Sequence, residues 1–278
     1  MHQVQKIYAP AADQAAKLYS ANADHPARGK KNKIVILGDC LAADYSPLPQ
    51  QSDGSADSNP YSFCRLIEES ADDYFNGAVD GMTTEKALHL YVQSFQKAIA
   101  DKSKESLLAA RLHEAQSIVI CAGTEDLIHS DSFGFTARNF MEGWESENAK
   151  KELTQKMMEH LSRVNPAEIK SNMVKILSFL YLINPHAKIY LLNVPNTMEH
   201  LARDFEYDQI ADCIADQINR LNASLEEAAS IFPNTRVINI HSLFEGRARQ
   251  LLQPFDMHLN QKGHQVIYNA LLQAGLFQ

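Results

Sequence analysis

The stretch Ile34-Val-Ile-Leu-Gly-Asp-Cys-Leu41 decides the fold of this chain. Its first four residues are all apolar, which is typical of a strand buried on both faces of a parallel sheet. Gly38 and Asp39 end that strand, and Cys40 follows at once, where side chains of an open α/β sheet face the ligand crevice. A cysteine in that place, with a histidine elsewhere in the chain, is a candidate nucleophile. The alternative is a small buried hydrophobic residue.

Further apolar runs alternate along the chain with segments of helical periodicity. After the first strand, strands are predicted to end near Asn76 and to cover residues 117–122, 188–194 and 236–240. Helices are predicted over residues 61–74, 83–100, 171–184, 208–229 and 261–274. Strands that alternate with helices indicate an α/β fold, a three-layer α/β/α sandwich around a mainly parallel, five-stranded sheet.

The length of 278 residues suits one large domain of this class. We expect residues 31–278 to form it, after an N-terminal extension over residues 1–30. Residues 127–167 are predicted to be a polar and aromatic insertion within the domain. The turn-rich residues 47–59 are too polar for the core and are predicted to form part of a rim or lid.

Composition and charge argue against several kinds of partner. The formal net charge of −8 gives no support to nucleic-acid binding. No apolar run is long enough for a membrane span, and the N-terminus lacks the apolar core of a secretory signal. The cysteines are widely spaced, without the C-x-x-C pairs of a zinc site. We therefore expect a cytoplasmic protein with free thiols and no bound metal.

Four short motifs each follow the end of a predicted strand, and their order resembles the SGNH (GDSL) hydrolase family. They are Gly38-Asp-Cys40, Asn76-Gly-Ala-Val-Asp-Gly-Met-Thr-Thr84, Gly123-Thr-Glu-Asp126 and Asp256-Met-His-Leu-Asn-Gln-Lys-Gly263. The resemblance runs from about residue 33 to the C-terminus, apart from the insertion. It implies the flavodoxin-like fold of that family, an acyl-transfer reaction and no cofactor.

The resemblance also implies a role for one residue in each motif. Cys40 stands where the family has its nucleophilic Ser, and His258 where it has its catalytic base. Gly81 stands where the family has a Gly of the oxyanion hole. The backbone N–H groups of Cys40 and Gly81 would then hold the oxyanion. The third member of the oxyanion hole is Asn in the family and Glu125 here.

The acid of the family's catalytic triad is displaced in this chain. The family has Asp three residues before its His, where this chain has Phe255, and Asp256 stands two residues before His258. The ordinary pKa of a thiol is about 8.5, so a nearby imidazolium or helix N-terminus can make it a thiolate at neutral pH. We therefore predict a Cys40–His258 dyad that depends little on an orienting carboxylate, and leave open whether Asp256 provides one.

Glu125 is the departure that is hardest to explain chemically. An ionised carboxylate repels an oxyanion, and losing one oxyanion-hole donor costs roughly 3–4 kcal/mol in the transition state. In one interpretation burial keeps Glu125 protonated, so that its O–H donates a hydrogen bond. In a second, Glu125 is a general acid or base, and in a third the site no longer transfers acyl groups. We favour the first two.

Four further residues in or next to the motifs, Asp39, Gly123, Asp126 and His264, are expected to give structural support. Asp39 is predicted to accept backbone N–H bonds that hold the turn of the nucleophile. Asp126 is predicted to do the same for its own loop, which begins at Gly123. His264 is expected to pack or cap the closing helix.

These residues together favour a cysteine-dependent acyl-transfer enzyme, an esterase, thioesterase or acyltransferase. Cys40 would attack an ester or thioester carbonyl, with His258 as base and acid. The predicted partner is a small acyl ester or thioester, with the acyl group free or attached to a carrier protein. Two alternatives stay open: a catalytically silent binding module of the same fold, or a lyase or isomerase that reuses the Cys/His/Glu pocket.

Overall fold

The computed structural model describes residues 32–43, 61–100, 107–130, 133–134, 146–254 and 256–278. The predicted N-terminal extension over residues 1–30 and the predicted rim at residues 47–59 lie outside these described residues. Phe255 lies outside them as well.

The centre of the fold is a five-stranded sheet in which every strand is parallel to its neighbours. Its order is β2-β1-β3-β6-β7. The strands are β1 (Lys33–Gly38), β2 (Asp73–Asn76), β3 (Ser117–Cys121), β6 (Lys188–Leu192) and β7 (Thr235–Ile238). A separate antiparallel pair joins β4 (His129–Ser130) and β5 (Phe133–Gly134). The α/β class and the five-stranded parallel sheet predicted from the sequence are confirmed.

Helices connect the strands of the sheet and cover both of its faces. Those of the first half are α1 (Phe63–Ser70), α2 (Thr84–Ala100), α3 (Leu107–Glu114), α4 (Thr124–Ile128) and α5 (Glu147–Arg163). Those of the second half are α6 (Pro166–Ile183), α7 (Glu199–Asp204), α8 (Asp208–Ala229), α9 (Ile240–Phe244), α10 (Ala248–Leu251) and α11 (Gln261–Gln273).

Two apolar clusters on opposite faces of the sheet form the core. Successive side chains of a strand point to opposite faces, so Val35 and Leu37 join one cluster while Ile34 and Ile36 join the other. The first cluster includes buried residues of α2, α6 and α8, and the second includes those of α1 and α11. Helices on both faces of a parallel sheet give the predicted three-layer sandwich.

Several helix boundaries differ from the sequence prediction because of capping residues. Helix α6 begins at Pro166, five residues before the predicted start, because Asn165 accepts a hydrogen bond from the Glu168 N–H and a proline fits the first helical position. Helix α5 lies inside the predicted insertion and is capped by Ser146 in the same way. Strand β7 ends at Ile238, two residues early, because Asn239 caps α9.

The carboxyl end of β1 is held very close to β3. Gly38 has φ +143°, and a Cβ atom at this position would overlap the backbone carbonyl of Cys121. The Asp39 N–H donates to that same carbonyl oxygen at 3.0 Å. Only glycine therefore lets the chain leave β1 in the direction that places Cys40.

We expect Gly38→Ala to lower the free energy of unfolding by about 2–6 kcal/mol, because backbone strain and overpacking add at this residue. Chemical denaturation followed by far-UV circular dichroism measures the change. Gly246→Ala is the matched control, since Gly246 also has positive φ but its Cβ would contact nothing within 4 Å. A loss equal to that of the control would contradict the close approach of β1 and β3.

Candidate active site

Cys40 lies in a tight turn directly after β1. The N–H groups of Ala42 and Ala43 both donate to the Asp39 carbonyl oxygen at 3.0 Å, which closes the turn. The thiol lines a cavity of about 30 Å³ together with His258, from the loop before α11. The structure thus brings the two predicted catalytic side chains to one cavity, although they lie 218 positions apart in the sequence.

His258 is oriented by a carboxylate. Its Nδ1 lies 2.6 Å from Oδ1 of Asp256, and the same oxygen accepts a hydrogen bond from the His258 backbone N–H at 3.1 Å. Burial raises the pKa of Asp256, but the hydrogen bond and charge of His258 outweigh burial and bring it below its ordinary value. An ionised Asp256 fixes the proton on Nδ1 and leaves Nε2 as the base.

The loop places an acid beside the imidazole, a point that the sequence left open. An acid two residues before the histidine reaches the imidazole because the loop turns back on itself, with the Gln253 N–H donating to the His258 carbonyl at 2.8 Å. Cys40, His258 and Asp256 thus lie together at this edge of the sheet, with the acid one residue nearer the histidine than in the family's spacing.

The thiol of Cys40 is surrounded by acidic groups. Burial is the main reason why its pKa is raised far above the ordinary value, followed by the negative charges of Asp39 and Glu125. The thiol also donates a hydrogen bond to the Glu125 side chain, and Asp80 adds a smaller effect. Burial and these acidic neighbours therefore favour the neutral thiol over the thiolate that a nearby imidazolium or helix N-terminus could stabilise.

Glu125 lies on α4, directly after β3, and its side chain is buried. Its carboxylate, the Asp80 carboxylate and the Cys40 sulfur all lie within 4.8 Å of one another. In the part of the chain that the structure describes, this is the one group of three such side chains at metal-binding spacing. Asp80 was missed by sequence reasoning, and the available signal was its place next to Gly81.

The loop after β2 brings Gly81 to the site. The Gly77 N–H donates to the Ile36 carbonyl at 2.8 Å and the Val79 N–H to the Gly38 carbonyl at 2.9 Å, which holds the loop along β1. Gly81 follows with φ +71° and open space around the position of a Cβ. Gly81 directly follows Asp80, whose carboxylate lies within 4.8 Å of the Cys40 sulfur.

The two aspartates predicted to give support are both hydrogen-bonded, Asp39 in a buried position and Asp126 in a half-buried one. Asp39 is fully buried, and its Oδ1 accepts from the Leu41 N–H at 3.2 Å. Burial, and then the charge of Glu125, raise the pKa of Asp39 to about 8. Asp126 binds the neighbouring motif instead of only its own loop: its two oxygens accept from the N–H and hydroxyl of Thr84 at 2.8 and 2.7 Å.

Gly123 and His264 complete the surroundings of the site. Gly123 has φ +111°, and a Cβ there would lie 3.0 Å from a Val194 methyl group. The turn from β3 into α4 therefore packs closely against the segment that follows β6. His264 lines the same cavity as Cys40 and accepts a hydrogen bond from the Phe63 N–H at Nδ1. Burial, with the nearby His258, lowers the pKa of His264 to about 4, so this imidazole is neutral at pH 7.

We expect Cys40 to react with iodoacetamide at pH 7 at least about tenfold more slowly than free cysteine, because its raised pKa leaves little thiolate. Glu125→Gln removes the acidic group that accepts the thiol hydrogen bond and should speed the reaction. Peptide mapping by mass spectrometry measures labelling. Glu226→Gln, at an exposed position of α8, is the control. Alkylation of Cys40 faster than free cysteine would show a preformed thiolate and overturn this picture of the site.

Comparison with known proteins supports the fold seen here. The solved structures that it resembles include the lipase Lip_vut3 from a goat rumen metagenome, with 17% identity, 87% of this chain and 97% of that chain covered, and a TM-score of 0.51. Phospholipase A1 from Streptomyces albidoflavus NA297 gives 14% identity, 88% and 99% coverage, and a TM-score of 0.53. The extracellular lipase from Streptomyces rimosus has 17% identity, with 87% of this chain and 98% of that chain covered and a TM-score of 0.53.

Other comparisons bear on the chain as a whole. No curated protein matches it. None of the helices in the described ranges has the length and apolar character needed to cross a membrane. The model of the GDSL-like Lipase/Acylhydrolase family matches residues 36–266. This range includes all four sequence motifs and most of the described fold. The chain therefore belongs to the GDSL-like lipase/acylhydrolase family, whose members are hydrolases that act on ester bonds.

Proposed function

We propose that this protein is a cysteine-dependent esterase or thioesterase that works through Cys40, His258 and Asp256. The observation that carries the proposal is the 2.6 Å contact between Asp256 and His258, in a loop whose imidazole lines the same cavity as the Cys40 thiol. A nucleophile, a base and a group that orients the base are the elements of acyl transfer through a covalent intermediate.

In the proposed reaction the neutral thiol loses its proton only as it attacks. Nε2 of His258 takes the proton while the Cys40 sulfur bonds to the carbonyl carbon, and the carbonyl oxygen becomes an oxyanion. The intermediate then breaks its bond to the leaving group, which receives the proton from His258. Water, deprotonated by the same imidazole, attacks the resulting thioester, releases the acid and restores the thiol.

The backbone N–H groups of Cys40 and Gly81 are the proposed donors to the oxyanion. Glu125 occupies the place of the family's third donor, and in the resting site its carboxyl group accepts the thiol hydrogen bond. The transition state therefore receives less stabilisation than an Asn would supply. The residue at position 125 therefore limits the rate of the proposed hydrolysis.

The proposed substrate is a small ester or thioester. Apolar side chains surround the small cavity of about 30 Å³ beside the thiol and would contact the acyl part of such a substrate; they are Leu41, Ile128, Met257 and Leu259. An acyl group on a carrier protein and transfer to an acceptor other than water belong to the same chemistry, because both pass through the acyl-cysteine intermediate.

A second candidate function uses the same side chains differently. The hydrogen bond between Cys40 and Glu125 joins a thiol to a buried carboxylate, as proton transfer in an elimination or isomerisation would require. In that case Glu125 is the base, and no acyl-enzyme forms. Replacement of Glu125 separates the two candidates.

We also propose that residues 31–278 form the hydrolase domain and that residues 127–167 are an insertion in it. The family match over residues 36–266 supports the extent of this domain. The cysteines at positions 40, 64, 121 and 213 are all free. Free thiols support the proposal that the protein works in the reducing cytoplasm.

We expect Cys40→Ala and His258→Ala to abolish hydrolysis of p-nitrophenyl acetate. Asp256→Asn should lower kcat by about 10²–10⁴, because an amide in this place favours the wrong imidazole tautomer. Asp216→Asn, at an exposed position of α8, is the control and should have the kcat of the parent. If Asp256→Asn stays within about threefold of the parent kcat, the orienting carboxylate is not needed and the mechanism is that of a thiolate dyad.

We expect Glu125→Asn to keep or raise ester hydrolysis, by up to about 10²-fold, since the amide supplies an oxyanion donor. It should also increase the labelling of Cys40 at neutral pH. The assay compares hydrolysis and labelling from pH 6 to 9 for Glu125→Asn and for Glu226→Asn, an exposed control. Loss of hydrolysis with labelling retained would instead identify Glu125 as an essential acid or base and favour the second candidate.

A further inference from the structure

His264 lines the cavity that holds the Cys40 thiol and the His258 imidazole, and the proposed reaction gives it no role. We call this cavity, of about 30 Å³, the acyl cavity. His264 belongs to α11, and its side chain is buried. The sequence predicted only that it would pack or cap its own helix. Its hydrogen bond joins it to a different helix.

The ring of His264 is held by the start of α1. Its Nδ1 accepts a hydrogen bond from the backbone N–H of Phe63, the first residue of that helix, at 3.4 Å. The rings of Phe63 and His264 also lie next to each other, with centroids 6.1 Å apart and an angle of 30° between their planes. The imidazole is therefore oriented before any substrate arrives.

This hydrogen bond decides which ring nitrogen of His264 carries the proton. A nitrogen that accepts a hydrogen bond has no hydrogen of its own, so in the neutral imidazole the proton is on Nε2. Burial, with the nearby His258, lowers the pKa of His264 to about 4, which keeps the ring neutral at pH 7. His264 is thus a neutral imidazole whose Nε2–H is a hydrogen-bond donor.

Other polar side chains line the acyl cavity together with His264. Thr124 comes from the start of α4, and Thr197 from the segment between β6 and α7. A hydroxyl group can donate or accept a hydrogen bond. The cavity therefore combines its apolar lining with polar groups that are not part of the proposed acyl-transfer machinery. An acyl group with an oxygen atom can pair with such groups, whereas a hydrocarbon chain cannot.

We propose that His264 is a substrate-binding residue whose Nε2–H donates a hydrogen bond to an oxygen atom in the acyl part of the substrate, beyond the reacting carbonyl. The inference rests on the proposed ester or thioester hydrolysis and names its substrate class. These substrates are small acyl groups that carry an ether, hydroxyl or further carbonyl oxygen. A site that hydrogen-bonds a polar group of its substrate rejects the analogue that lacks this group.

Two substitutions separate this role from the contact with α1. The amide of Asn lies about as far along the side chain as Nδ1, so His264→Asn can still accept the Phe63 N–H but has no donor in place of Nε2–H. The amide of Gln reaches about as far as Nε2, so His264→Gln keeps a donor there and loses the acceptor. A merely structural role would make His264→Gln the more damaging change.

The test compares p-nitrophenyl methoxyacetate with p-nitrophenyl butyrate, whose acyl groups differ by one oxygen in place of a CH₂ group. The preference is the ratio of the two kcat/KM values, each divided by the spontaneous hydrolysis rate of that ester. We expect the parent to prefer the methoxyacetate. His264→Asn should lower this preference by about three- to tenfold, the range of one neutral hydrogen bond, and His264→Gln should keep most of it. His186→Asn, at an exposed position, is the control and should keep the preference of the parent.

Three results would overturn this inference alone. They are no preference in the parent, the same preference in His264→Asn as in the parent, and an equal fall in His264→Asn and in the control. Hydrolysis of neither ester by the parent would instead contradict the proposed function, and this inference with it, so the two failures are distinguishable. Thermal unfolding checks each variant first, and where a variant does not fold, the preference of the parent decides.

Discussion

The contact between the end of β1 and the Cys121 carbonyl is the constraint on which the site depends. Gly38 can approach this carbonyl because it has no Cβ, and the Asp39 N–H then donates to the same oxygen. Since all five strands run parallel, the segments after β1, β2 and β3 leave the sheet at one edge. The thiol, the Gly81 loop and Glu125 meet there because their strands are neighbours, not because they are close in sequence.

That convergence has an electrostatic cost. A thiolate about 4–5 Å from another negative charge is destabilised by roughly 3–4 kcal/mol at an effective dielectric constant of about 20. The Glu125 carboxyl group lies within this distance of the Cys40 sulfur and is buried. Asp80 also lies within this distance, but it raises the pKa of the thiol less because it is exposed. In the proposed mechanism the proton therefore leaves the thiol during the attack, which needs a base with a fixed tautomer. The contact between Asp256 and His258 fits His258 for that proposed role.

The strands and the order of the motifs could be predicted from the sequence because each is a local pattern. A continuous apolar run such as 34–37 has one good place in this fold, the interior of a parallel sheet. The protonation state of Cys40 could not be predicted, because it depends on Asp80 and Glu125, which approach only when the sheet has formed. Asp256 was uncertain for a different reason: motif spacing assumes one loop shape, and the hydrogen bond from Gln253 to the His258 carbonyl gives another. The starts of α5 and α6 were missed although their caps, Ser146 and Asn165, are local signals.

The two largest departures from the family compensate each other in the proposed mechanism. A thiol is intrinsically far more acidic than an alcohol, and in most sites this favours a preformed thiolate. Here burial and the carboxylates of Asp39 and Glu125 raise its pKa and remove that advantage. The result is a neutral nucleophile that needs His258 and Asp256 as a serine does. A serine beside Glu125 would start from a much weaker acid under the same charges, so the acidic surroundings are compatible with a thiol and unfavourable for an alcohol. Cysteine at position 40 and glutamate at position 125 are therefore best understood as one coupled change in the site.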